Sequence, residues 1–140
     1  MKNALSVLDI EQLVQAFINR TLPATAWTHE AHLLVAFWHN WTYEYAEALA
    51  LVRERIRAYN EAVGTANTDT SGYHETLTVF WMRLTRNFLE EHPDWPLEKA
   101  VQEFLQSPHA DKQLPLTFYD RKVLFSVKAR KEWVEGTEPL

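Results

Sequence analysis

Apolar residues recur along this chain at three- and four-residue steps, and the recurrence divides it into helices. Ile10, Leu13, Val14, Phe17 and Ile18 share one helical side. Asp9 reads as the N-cap of that helix, with Gln12 completing a capping box and Leu8 stapled to Leu13, and the helix ends near Arg20, ahead of Pro23. A second helix runs from an N-cap at Thr28 through Trp41. The stretch from Leu33 to Trp38 leaves it almost no polar face, which places it at the centre of the fold. A third restarts at Thr42 and carries the cleanest stripe: Tyr45, Leu49, Val52, Ile56, Tyr59 and Val63, closed by Gly64. Arg53, Glu54, Arg55 and Arg57 lie off that stripe and read as a solvated face.

The polar stretch from Thr65 to Tyr73 reads as a loop of local turns, with Asp69 or Ser71 capping the next helix. This fourth helix spans about His74 to Glu91, turning Leu77, Phe80, Trp81, Leu84 and Phe88 inward. Pro93 and Pro96 break the chain, and Asp94 is expected to cap a fifth helix reaching about Gln106. A last helix is expected around Phe118 to Ser126. The pattern predicts an all-α fold: one domain over residues 1–140, a helical bundle of five or six helices with short connections.

Composition sharpens this picture. Three glycines in 140 residues disfavour a turn-rich β architecture. The formal net charge of -5 gives no basic face for nucleic acid. Arg121, Lys122, Lys128, Arg130 and Lys131 form a local basic cluster, but Glu132, Glu135 and Glu138 offset it, so a salt-bridged surface is expected. The longest apolar run, Ala31 to Trp38, is too short for a membrane span, and the first residues lack the apolar core of a signal peptide. A cytoplasmic protein without membrane contact is the expectation. Six Trp, seven Phe and five Tyr exceed what one small core hides, which predicts a self-association face and a homodimer.

With no cysteine in the chain, disulfides, thiolate metal sites and thiol nucleophiles are excluded. Any metal must be held by His, Asp or Glu. His29 and His32 stand three residues apart, which puts both imidazoles on one face of the second helix, and His74 opens the fourth. If these two helix starts share one end of the bundle, three imidazoles converge. A helix N-terminus disfavours the imidazolium, so each ring is poised as a neutral ligand or acceptor. Three nitrogens with an open fourth position is the pattern of catalytic zinc. A carboxylate from Glu30, Glu75 or Asp69 extends the choice to iron or manganese. The pair His29-Glu30 does not begin a metalloprotease motif, because the second histidine that motif needs is replaced by Leu33.

The expected function is metal-assisted chemistry on, or binding of, a small molecule, with His29, His32 and His74 as metal ligands and Tyr73, Asp69 and Glu75 facing the ligand. A metal-free pocket with His32 and His74 as acid–base groups is a variant of it. The alternative is a non-enzymatic dimeric interaction module whose histidines are structural. His39, seven residues past His32, reads as a satisfied buried histidine; His92 and His109 read as exposed.

The strings Trp27-Thr28-His29-Glu30-Ala31-His32-Leu33 and Asn67-Thr68-Asp69-Thr70-Ser71-Gly72-Tyr73-His74-Glu75-Thr76 resemble a family of small, uncharacterised bacterial helical proteins. That resemblance runs from the second helix to the tail at Trp133. It implies a bacterial, intracellular chain and carries no activity with it. A looser comparison is with DinB-like bundles, whose metal is held by three histidines. Those place a lone histidine first and a His-x-x-x-His pair later, whereas here a His-x-x-His pair comes first, so the comparison is an analogy.

Overall fold

The computed structural model describes residues 5–136. Its helices are α1 (Val7–Ile18), α2 (His29–Thr42), α3 (Tyr45–Ala62), α4 (Glu75–Glu91), α5 (Leu97–Leu105), α6 (Arg121–Leu124) and α7 (Val127–Lys131), with single 3-10 turns at Ala24–Ala26, Pro108–Ala110 and Leu114–Thr117. The all-α bundle expected from the sequence is what forms. Among the described residues five of the helices are long, and two short ones come last.

Helix α2 is the axis, packing against α1, α3, α4 and α5. Leu33, Val35 and Phe37 are wholly or almost wholly buried on different sides of it, as a helix without a polar face requires. Phe37 meets Phe88 and Phe104 edge to face, with centroids 6.2 and 5.0 Å away. Ile10, Val14 and Phe17 of α1 and Val52 and Tyr59 of α3 complete this core. Each large side chain buried here contributes about 1.5–3 kcal/mol before entropy is counted. Beyond α4 the chain returns over its outer side, and Phe80, Tyr119 and Leu124 form a second, smaller core there.

Helix starts differ from the expectation where side-chain bonding decides. Ser6, not Asp9, caps α1: its Oγ accepts the Asp9 N–H at 3.1 Å while the Asp9 carboxylate accepts the Ser6 N–H at 3.0 Å. Asp9 is thus the far partner of a capping box set one turn earlier. Thr28 caps α2 as expected. Glu44 precedes α3 because Tyr43 is extended and closes α2. Pro96, rather than Asp94, borders α5. The expected last helix is split, with Asp120 and Ser126 each capping a short piece.

Of the expected solvated face, Glu54 and Arg57 are exposed and Arg53 and Arg55 half-buried, but the arginines also have partners. Arg53 forks onto the Glu75 carboxylate, Arg55 reaches His39 at 2.8 Å, and the Arg57 guanidinium lies 4.3 Å above the Tyr73 ring. These contacts tie α3 to α4 and α2, where the apolar stripe alone would leave α3 free to slide. Gly64 ends α3 at φ +84°. At Gly72, φ is +78° and a Cβ would stand 2.5 Å from the Ala66 carbonyl oxygen, so no other residue closes this loop without displacement.

Candidate functional site

The first turns of α2 and α4 lie together at one end of the bundle. With Val52, Ile56 and Asn60 of α3, and with residues from 112–116 and 124–125 crossing over, they line a half-open cavity of about 580 Å³. That volume is typical of small-molecule sites. His29, His32 and His74 all line it. The three rings therefore share one cavity wall, but they have different hydrogen-bonding partners.

His74 is itself the N-cap of α4, in place of the expected Asp69 or Ser71. Its Nδ1 accepts the Leu77 N–H at 3.1 Å, and its Nε2–H donates to the Leu124 carbonyl at 2.8 Å. The first bond needs a lone pair on Nδ1 and the second a proton on Nε2, so the ring is neutral and both nitrogens are used. His29 donates its Nε2–H to the Ala110 carbonyl at 2.8 Å, which leaves Nδ1 as a lone pair. Together, His29 and His74 pin the two ends of the 110–124 segment that covers the cavity.

His32 is built differently. Its Nδ1–H donates to the Thr28 carbonyl at 2.7 Å, so Nε2 carries the lone pair, and that atom has no partner among the described residues. One face of the ring stacks on Trp27 at 3.7 Å, and Trp27 in turn stacks on Phe17 at 4.6 Å. A hydrogen bond and a stack thus fix both the tautomer and the plane of this imidazole. Burial pushes its pKa down to about 4, against the pull of the Thr28 carbonyl. Burial also lowers His29 and His74, aided by Lys112 and Arg130 respectively.

The expected three-histidine metal centre is not assembled: among the described residues no group of three or more His, Cys, Asp or Glu is placed to hold a metal ion. His74 has no free lone pair for one, and the carboxylates lie elsewhere. Glu75 is buried, receives Arg53, and accepts the Tyr73 hydroxyl at 2.6 Å. Burial raises its pKa, but the bonds from Arg53 and Tyr73 outweigh that, and the carboxyl stays below its usual range. Asp69 is exposed and pairs with Lys131 at 3.1 Å, and Glu30 is exposed on α2. Of the three expected ligand-facing residues, Tyr73 alone lines the cavity. Its hydroxyl is committed to Glu75, and burial with that bond raises its pKa. What Tyr73 can offer a ligand is its ring.

Sequence reasoning missed Trp81, Thr78, Lys112 and Phe125, which also line the cavity. The spacing of Trp81 assigns it to the core, and it does pack there, edge-on to His29 at 5.0 Å. Lys112 belongs to the irregular part of the covering segment, where no periodicity announces a wall, and Phe125 is the C-cap of α6 within the expected last helix. The fold and site define a helical bundle with a small-molecule-sized cavity walled by neutral histidines. No protein-family model, no curated protein and no solved structure matches the chain. No described helix is long and apolar enough to cross a membrane.

Proposed function

We propose that this protein binds a small, mostly apolar molecule in the histidine-walled cavity, with His32 as the polar anchor. The observation that carries this reading is the unpartnered Nε2 of a rigidly held imidazole on the wall of a 580 Å³ cavity. The ring is half-buried, so this nitrogen is accessible from the cavity side and is available to a donor. Apolar side chains such as Val35, Leu77, Met82 and Leu116 form much of the remaining wall, the usual composition of a ligand site with few orienting polar groups.

Benzofuran, a flat probe with no donor, tests the cavity itself. Saturable binding is expected, with NMR shift changes centred on Ala36, Leu77 and Trp81, and Ala36→Leu should weaken it by filling space. Absence of saturation, or shift changes elsewhere on the surface, rejects the reading. Zinc, iron(II) and manganese titrations examine the metal alternative. Because His74 has no free nitrogen, stoichiometric uptake through all three histidines is not expected.

A further inference from the structure

The atoms on the cavity wall restrict what kind of ligand it accepts. His32, on the cavity wall, keeps the lone pair of Nε2, and His29 that of Nδ1, because each ring's proton is already committed to a carbonyl. Both are acceptors. The Thr78 hydroxyl gives its proton to the His74 carbonyl at 2.8 Å and can itself only accept further bonds. Among the described residues lining the cavity there is no carboxylate, and Lys112 is the one charged side chain. An ammonium would enter without a counter-charge and close to a lysine. A carboxylate or phosphate would find Lys112 as a counter-charge and the Gln113 amide as a donor, but at His32 it would face a lone pair. At His32 itself a neutral donor is the group that fits. The ring systems of Tyr73, Trp81 and Phe125 line the same space and favour a flat, unsaturated body packed against their faces or edges.

Resting on the reading of this cavity as a binding site, we propose that its ligand class is a neutral aromatic molecule bearing a hydroxyl or ring N–H, which donates to His32 Nε2. The imidazole is held in the receiving orientation before the ligand arrives, so little ordering is needed on binding. The donor is recognised by a single hydrogen bond, and the apolar walls supply most of the affinity.

Indole and benzofuran are nearly the same shape and differ at one edge, an N–H against a ring oxygen. Calorimetric titration of the wild-type chain should show indole binding roughly tenfold tighter, the scale of one net hydrogen bond. In His32→Phe, which keeps a ring against Trp27 but removes the acceptor, that preference should disappear while benzofuran affinity stays within about twofold of wild type. A readout that needs no substitution is the Nε2 nitrogen shift of His32, which should move on adding indole and far less on adding benzofuran. Equal binding of the two probes to the wild type overturns the proposal, as does a preference that survives His32→Phe or an Nε2 shift that ignores indole. Tighter binding of indole-3-carboxylate than of indole overturns it in favour of an anion. Zinc uptake by the wild type that His32→Phe abolishes overturns it in favour of a metal. Failure of both neutral probes to bind rejects the cavity reading itself.

Discussion

His32 and His39 lie two turns apart on the same side of α2, and they begin as copies of one local unit. Each donates Nδ1–H to the carbonyl four residues back, at 2.7 Å in both cases. Each ring lies against a tryptophan: Trp27 stacks on His32 at 3.7 Å, and Trp38 meets His39 edge-on at 4.9 Å. Burial pushes both down to about 4. They part at Nε2. His39 is fully buried and its Nε2 receives an N–H from Arg55 at 2.8 Å, a group that can only donate. His32 lines the cavity, and the same atom receives no donor from the described residues. A satisfied histidine and an available one are therefore made from the same backbone device, and the neighbouring helix decides which is which.

The largest expected effect tests what the two rings share. Both are neutral in the folded chain, whereas an unfolded histidine protonates near 6.5. Between about 6.5 and about 4 the unfolded chain binds more protons, so stability falls as pH falls through this window and is retained above it. Each ring accounts for roughly 3 kcal/mol across the window. His29 and His74 add in the same direction. Urea unfolding at a series of pH values checks this, and NMR should find His32 and His39 as Nδ1–H tautomers and His29 and His74 as Nε2–H tautomers. A flat stability profile from pH 7 to 5, or a midpoint near 6.5 for His32, removes the basis of the comparison.

The next effect separates the two ends. Arg55→Met takes the donor away from a fully buried nitrogen at His39 and should cost about 1–3 kcal/mol. The double variant Arg55→Met/His39→Leu should recover part of that loss, because the orphaned acceptor is then gone as well. A single-variant cost below about 0.5 kcal/mol would mean that Arg55 is no more than a surface charge.

How far the sequence revealed this arrangement depended on whether the signal was local. The axial position of α2 was legible because Leu33 to Trp38 leaves no polar side, and His29 and His32 were legible as a pair from their spacing. That His74 shares a cavity wall with them was legible only as a condition on how α2 and α4 pack. What was not legible was which nitrogen each ring commits. His74 is held by the carbonyl of Leu124, fifty residues away, and His29 by that of Ala110, eighty-one residues away. No local pattern encodes such bonds. The same applies to Arg53, Arg55 and Arg57, whose position off the apolar stripe reads as solvent-facing until α4 supplies Glu75, α2 supplies His39 and the loop supplies Tyr73.

A smaller effect comes from His74 as a cap. His74→Ala removes both the N-terminal cap of α4 and the tie to Leu124, for an expected loss of about 1–2 kcal/mol. His74→Asp keeps a capping acceptor but cannot donate to Leu124, so it should recover part of that loss while leaving the covering segment less protected in hydrogen exchange. Equal protection of residues 110–124 in wild type and His74→Asp would show that the tie does not hold the cover.

The smallest effect is at His32, and its smallness is what sets this ring apart from His39. His32→Phe keeps a ring on Trp27 and loses the bond to the Thr28 carbonyl, yet that oxygen still accepts the backbone N–H of residue 32 at 3.0 Å. No buried group is orphaned, and an Nε2 lone pair without a partner among the described residues is removed. At pH 7 the change in stability should stay within about 0.5 kcal/mol either way, in contrast to the loss at Arg55→Met. At pH 5 the sign should become clear: the parent has lost the stability tied to a neutral His32 and the variant has not, so the variant should be the more stable by roughly 2 kcal/mol. Urea midpoints at the two pH values decide it. A large loss at pH 7 would make His32 as structural as His39, whereas near-neutrality there combined with a gain at pH 5 means that this nitrogen is kept open at a cost in acid stability.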